Sequence, residues 1–439
     1  MATAPAIDPI LTALRAQQPG YQEGWGAPEH SGWQDEQRSW KESCYLGDWS
    51  FLMDLEVRGP DALKLFSDHT VNSYASFPTG RAKHAIYCSE AGKVIVEGVL
   101  MRMDDNCFRI QSGPAVFTDF LASRGGYDVT TSEISTFQLQ VSGPSALAVC
   151  QKVTGEDLTD IGFMRFREVT IAGKRCYALR QGMAGEIGFE FHGDLSDRDS
   201  VSDAIMAAGA PHGIRRLGRR TAMINHLEAA FPTGLWHYVP DMFGKEVEGF
   251  AEWSGAKWAH AFTTPPALRG SFEGRSVRDY LLSPYEMGWG HCVRFDHEFT
   301  GRAALVHEAA SGEGKRRVTL SYDPADLVDI YASLFEEGEE PFDHMDMPHP
   351  QRWVMWADAV MEDGKTVGIA SSPGYSLWFR KMLALAFVDA GQAEPGTRVE
   401  VLWGQPGSRQ RMIGATVCPA PFKTDRRRDS LTTTIPFQA

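Results

Sequence analysis

Apolar and polar positions change period several times along the chain, and each change predicts an element. Ile10, Leu11 and Leu14 share one face of a short helix over 8–17, opened by Asp8-Pro9. The Gly-, Trp-, Glu- and His-rich stretch 19–36 has no period and reads as an arm that wraps a surface or covers a cleft. From Tyr45 the pattern turns to β. Phe51 to Val57 alternates as a strand, Arg58-Gly59-Pro60 turns, and 61–68 forms a helix. Lys83 to Ser89 and Val94 to Met103 flank the turn Glu90-Ala91-Gly92-Lys93 as a hairpin, followed by a strand over Cys107 to Gln111. Val141-Ser142-Gly143-Pro144 again precedes a helix, so the order strand, Gly-Pro, helix occurs twice, as in two related α+β units. Residues 200–230 read as helical, 231–275 as aromatic- and Gly-rich, and 283–296 as a tight connector. Six short apolar runs (317–322, 353–361, 367–371, 383–388, 399–402, 411–417) predict a small barrel or sandwich. The pattern divides the chain into 1–44, 45–314 and 315–439, the last ~20 residues reading as a loose tail.

Composition narrows the classes. The chain has 439 residues, 43% hydrophobic and 23% charged, which fits two or three globular domains. A net charge of −14 argues against nucleic acid or an anionic membrane as partner, since both require a basic face. Seven dispersed cysteines without a CxxC pair fit reduced thiols in a cytoplasm and offer no metal spacing. The first twenty residues lack the basic and apolar regions of a signal peptide, and no run of ~20 apolar residues predicts a membrane span.

The chemistry centres on 180–192. Gly182, Gly185 and Gly188 recur at every third position between a strand-like run, Arg175 to Leu179, and the alternating Phe189-Glu190-Phe191. The glycines allow φ > 0 or close approach of backbone to a flat ligand. Glu190 faces opposite to its two phenylalanines. There it either grips a ligand that presents an N–H pair or stands in solvent beside a plain hairpin. Tyr238, in a Gly-bounded loop with Trp236 and His237, is a candidate acid or, once activated, base. His84 is a candidate proton carrier near neutral pH, and Lys83 a candidate partner for a phenolate. An exposed strand lysine and a buried aromatic belt are the plainer readings of Lys83 and Tyr238. His226 and Glu228 are two apart on a helix and do not face each other.

Arg180, Gly182, Met183, Ala184, Gly185, Glu186, Gly188, Phe189 and Glu190 match a signature of the aminomethyltransferase superfamily, the T-protein of glycine cleavage and its relatives. Three more stretches resemble that family in the right order: Gly80 to Lys83 with Glu90 to Glu97, Pro284-Tyr285-Glu286-Met287-Gly288 with Phe299-Thr300-Gly301-Arg302, and Gly364 to Gly368 with Ser371-Ser372. The resemblance implies an α+β T-protein fold, folate-binding N-terminal units followed by a C-terminal β-barrel, with tetrahydrofolate as cofactor. By the same resemblance Glu190 grips the pterin, with Arg180, Met183 and Trp253 also on the cofactor side. Within the superfamily, Asp61 to Leu65, Arg294 to Phe299, Ile330 to Phe335 and Val401 to Gly404 are most similar to tetrahydrofolate-dependent aryl O-demethylases acting on vanillate and syringate, a group that includes a phenylcoumaran γ-formaldehyde lyase.

The departures from that group lie on the substrate side. The T-protein's catalytic Asp corresponds to Glu97, one methylene longer. One of two demethylase tyrosines corresponds to Tyr238; for the other only Tyr21 is near. The arginine that clamps the aryl carboxylate corresponds to Ser112, which cannot form a bidentate charged pair, and a histidine corresponds to Phe51. Tyr21, Trp49, Phe51 and Ser112 are thus the substrate-side candidates, and a larger, neutral phenol is the expected substrate. The reading preferred on these grounds is γ-formaldehyde release from a phenylcoumaran-type dimer, for which the folate is not obligatory. Tetrahydrofolate-dependent O-demethylation is the alternative, and a non-catalytic folate-binding protein the third.

Overall fold

The computed structural model describes residues 8–20, 25–182, 185–258 and 267–431. Two sheets carry the N-terminal region. The first is antiparallel, in the order Ala82–Cys88, Val94–Arg102, Cys107–Gln111, Asp54–Arg58, Thr130–Ile134. The second runs Arg215–Arg216, Tyr45–Asp48, Thr136–Ser142, Gly188–Asp194, Lys174–Leu179, Phe166–Ile171. Each sheet buries one face on its own helices, Ala62–His69 and Gly113–Ser123 for the first, Ala146–Thr154 and Arg198–Gly209 for the second.

The repeated strand, Gly-Pro, helix unit is visible at atomic level. Gly59 and Gly143 adopt φ of 143° and 134°. A Cβ at Gly59 would meet the Asp128 carbonyl at 2.2 Å, and one at Gly143 the Ser43 carbonyl at 2.7 Å. Each glycine carbonyl accepts from the amide three residues on, Ala62 at 3.1 Å and Ala146 at 3.0 Å, which starts the helix. Only glycine combines that φ with so close a neighbouring strand.

The C-terminal strands close a six-stranded barrel: Arg316–Tyr322, Arg411–Cys418, Arg398–Trp403, Asp358–Glu362, Lys365–Ala370 and Lys381–Val388, which pairs back onto Arg316–Tyr322. Inward positions such as Leu320, Ala384, Val401 and Ile413 are sealed, while Arg411–Cys418 alternates between buried and half-buried residues. Closure removes the sheet edges.

Four expectations need correction. The arm contains a helix, Trp33–Glu42, with Glu36, Gln37, Ser39 and Trp40 buried; its inward face is polar and aromatic, which hid the period. The run 353–361 is two strands, because Ala357 turns aside to donate to the Arg269 carbonyl at 2.9 Å, leaving Val354–Trp356 paired in parallel with Ala267–Arg269. A further helix, Pro324–Ala332, interrupts the β-rich region. The final segment is not loose up to Leu431. Leu431 enters the core behind the second sheet, Arg426 N–H donates to the Gly185 carbonyl at 2.8 Å, and Lys423 is buried against Asn225 Oδ1 at 2.5 Å, with Glu186 and Glu228 each at 3.9 Å. Among the described residues no helix is long and apolar enough to cross a membrane.

Burial lowers the Lys423 amine to about 8, with Glu228 and Glu186 opposing the shift. Lys423→Ala should therefore leave two sealed carboxylates short of a cation. Unfolding in urea should show a loss of about 3 kcal/mol, the low end for breaking a buried pair, since Lys41 still stands 3.4 Å from Glu228.

Candidate active site

A cavity of about 820 Å³ lies where both sheets, the connector, the barrel and the C-terminal segment meet. Eight of the twelve candidate site residues line it: Trp49, Phe51, Lys83, His84, Glu97, Ser112, Glu190 and Tyr238. Its volume is at the upper end for one small-molecule site.

Glu190 is placed by strand alternation. Phe189 and Phe191 are sealed in the core behind the second sheet, while Glu190 and His192 share the opposite face. The loop before them depends on glycine, since a Cβ at Gly182 would stand 1.9 Å from the Glu186 carbonyl. Gln181 Nε2 donates to Glu190 Oε2 at 2.8 Å. Glu190 Oε1 is buried without a hydrogen bond; His192 Nε2 lies 2.9 Å away but out of line for one. Gln111 Nε2 reaches His192 Nδ1 at 2.9 Å, so the ring proton sits on Nε2. A buried acceptor with no partner costs about 1–3 kcal/mol, which a ligand N–H would recover. A pterin presents that donor, so the residues fit tetrahydrofolate.

The proton-handling groups stand on the hairpin of the first sheet. His84 lies opposite Val99 and Glu97 opposite Ile86, a diagonal cross-strand pair. His84 Nε2 meets Glu97 Oε2 at 2.5 Å. The turn Gly290–Cys292 sets Cys292 and His291 in the same lining as His84. Trp289 packs edge-on to the His84 ring at 4.9 Å. Burial alone would lower the imidazole, yet Cys292 and Glu97 hold it at about 9. Burial would raise the Cys292 thiol, yet His291 and His84 bring it down to about 6. His84 therefore stays charged through neutrality, shifted toward the range of a phenol. Burial also pushes the Tyr238 hydroxyl well above its usual range, so it serves as a donor and not as a base.

A wall of rings forms another side. Trp25 meets Trp49 at 5.5 Å, Phe51 at 5.2 Å and Trp236 at 5.3 Å, and Trp236 meets Trp353 at 4.7 Å. The rings continue toward His84 through His226, stacked on Trp49 at 5.9 Å, and Phe231, 5.9 Å from His84. Ser112 holds a left-handed φ of 68° at the entrance to the helix Gly113–Ser123.

Some expectations fall elsewhere. The Arg180 guanidinium turns to the C-terminal segment, donating to the Asp429 carbonyl at 2.5 Å and to Ile161 at 3.3 Å, and does not line the cavity. Trp253 packs on Phe120 at 5.5 Å, outside the lining. The Lys83 ammonium donates to the Ser73 carbonyl and lies over Tyr74 and Phe77, so it is committed away from a substrate oxygen. Tyr21 and Met183 lie outside the described residues. Sequence reasoning missed Gln181, His192, His291, Cys292 and the tail arginines Arg427 and Arg428, all near or in the lining. His192 was available from the two-residue period; the others meet the site through turns that carry no period.

Fold and site together define an enzyme of one-carbon transfer. The GCVT N-terminal domain model matches residues 15–241 and the glycine cleavage T-protein C-terminal barrel domain model matches 344–423, so the chain belongs to the T-protein family. It is 32% identical to a syringate O-demethylase of Sphingobium sp. strain SYK-6 over 94% of each chain. It is also 32% identical to a sesamin methylene transferase of Sinomonas sp. strain No.22, over 90% of this chain and 89% of the relative. The structure of glycine cleavage aminomethyltransferase T from Bartonella henselae superposes with a TM-score of 0.67 at 17% identity, covering 95% of this chain and 97% of that one, a likeness of fold.

Two outcomes follow from the site. Glu190→Gln should weaken tetrahydrofolate binding in calorimetry by about 1.5–3 kcal/mol, the range for a charged hydrogen bond, while Trp253→Phe leaves it unchanged. Cys292 should be alkylated by iodoacetamide ahead of the other six cysteines, which burial pushes up. The labelling rate should rise with a midpoint near pH 6, since the reactive thiolate exists above the lowered value.

Proposed function

We propose that the protein removes a one-carbon unit from a neutral phenolic aromatic and hands it to tetrahydrofolate, in the manner of an aryl O-demethylase. The observation that carries this reading is the shared chamber: the unpartnered Glu190 oxygen, the His84–Glu97 pair and the aromatic wall all face one cavity. The 32% identity to a syringate O-demethylase supports the reaction class. Ser112 in place of a cation supports a substrate without a carboxylate at that position.

Tetrahydrofolate, when bound, supplies the amine that accepts the carbon. Glu190 and Gln181 would hold its pterin, and Arg317, Arg427 and Arg428 offer cations to its glutamate carboxylates. The ring wall clamps the aromatic and excludes water, so that the ether carbon is held for in-line displacement. His84, kept charged by Glu97 and Cys292, gives a proton to the departing phenolate oxygen, with the Tyr238 hydroxyl as a second donor.

Ser112 also favours a second reading, in which a base takes the phenol proton of a phenylcoumaran-type dimer and the hydroxymethyl carbon leaves as formaldehyde. A panel of neutral methoxylated phenols and two-ring phenols beside vanillate and syringate, with and without tetrahydrofolate, separates the two by mass spectrometry. Methyl-folate from neutral phenols is the expected product; formaldehyde formed without folate would favour the second reading, and faster turnover of the benzoates would contradict the substrate assignment. Tyr238→Phe should lower turnover by roughly 10²-fold or more, the usual size of a general acid contribution, with tetrahydrofolate affinity retained.

A further inference from the structure

We infer that Cys292, His84 and Glu97 form a nucleophile, acid–base and orienting set that captures the one-carbon unit on sulphur at the oxidation level of formaldehyde. The inference rests on the second, formaldehyde-releasing reading above, since methyl transfer to folate forms no formaldehyde. It deepens that reading by assigning a covalent role to a side chain that transfer to folate does not need.

Three observations carry it. Glu97 Oε2 fixes the His84 ring through Nε2 at 2.5 Å, and Cys292 lines the same cavity close enough to that ring for each to shift the other's titration. That is the relation of an activated nucleophile to its base and of the base to its orienting carboxylate. Second, Cys292 lines the cavity and is only partly buried, whereas five of the other six cysteines are buried. Third, its surroundings are electropositive: His84, His291 and Lys83 all act on it, as in the sites of reactive thiolates. Trp289, edge-on to the His84 ring at 4.9 Å, and Glu97 hold that ring in place without a substrate.

The chemistry of sulphur fixes which carbon suits the site. A methyl group taken onto the thiolate would form a neutral thioether, which does not release it to an amine without further activation. Formaldehyde behaves differently. The Cys292 thiolate adds to the carbonyl carbon, an S–C bond forms as the C=O π bond opens, and the imidazolium of His84 gives its proton to the oxygen. The product is a hydroxymethyl thioether, and no oxidant or reductant is consumed. The reverse step, with His84 taking the hydroxyl proton back, returns formaldehyde and thiolate. A reactive product is thus held at the wall that also faces Glu190, and not lost to solvent.

The purified full chain, without folate or aromatic substrate, is mixed with ¹³C-formaldehyde and followed by ¹³C NMR for the S–CH₂–OH carbon. One stoichiometric signal is expected in the wild type, absent in Cys292→Ser and weakened severalfold in His84→Gln. Formaldehyde should also slow iodoacetamide labelling of Cys292 in the wild type. Equal spectra for wild type and Cys292→Ser, or labelling that formaldehyde leaves unchanged, would overturn the proposal. Circular dichroism of the serine variant, which differs by one atom, guards against a folding artefact. An adduct on Cys292 in a protein that turns over none of the aromatic panel would instead contradict the function proposed above while upholding the thiol site.

Discussion

One constraint organises this protein: a carboxylate, Glu190, is buried with only half of its hydrogen-bonding capacity met. Gln181 satisfies Oε2, while among the described residues Oε1 has only the out-of-line His192 Nε2 at 2.9 Å. Leaving such an atom unpaired is costly, so the surrounding structure must hold it there. The two phenylalanines beside it do so. They anchor the strand Gly188–Asp194 in the core behind the sheet, and the strand cannot slip by one residue without exchanging two rings for two polar groups.

The remaining architecture closes around that strand. The first sheet sets His84 and Glu97 across the cavity, its repeat unit built on the same glycine geometry as the second sheet's. The connector swings Trp289 and Cys292 onto His84, and the barrel supplies Arg317. The C-terminal segment completes the enclosure, with Lys423 neutralising the buried Glu186 and Glu228 behind the Gly-rich loop. The site is therefore assembled from parts far apart in sequence, and its polarity is divided: an acceptor and cations on the cofactor side, rings and a neutral Ser112 on the substrate side.

Much of this was legible from sequence where a period exists. The hairpin 82–102, the two Gly-Pro helix starts, five of the barrel strands and the opposed faces of Glu190 and its phenylalanines all follow from alternation and turn chemistry. Where side chains leave their element's period, the sequence was silent. Helix Trp33–Glu42 buries a glutamate and a glutamine, because Glu36 accepts from the amides of His30 and Gly218. The tail is polar yet docked, because its cations meet sealed carboxylates. Arg180 carries the family signature but serves the tail, and Cys292 gains its chemistry from the adjacent His291 together with His84, two hundred residues away.

The central claim is that the Glu190 face of the second sheet receives the pterin. Hydrogen–deuterium exchange of the full chain with and without tetrahydrofolate tests it most directly. Slower exchange is predicted for the amides of 185–192 and of 423–429, which the Gly185 carbonyl, accepting from the Arg426 N–H, and the Glu186–Lys423 pair tie to one another. Protection confined to the barrel or to the helices behind the first sheet, with 185–192 unchanged, would contradict the account.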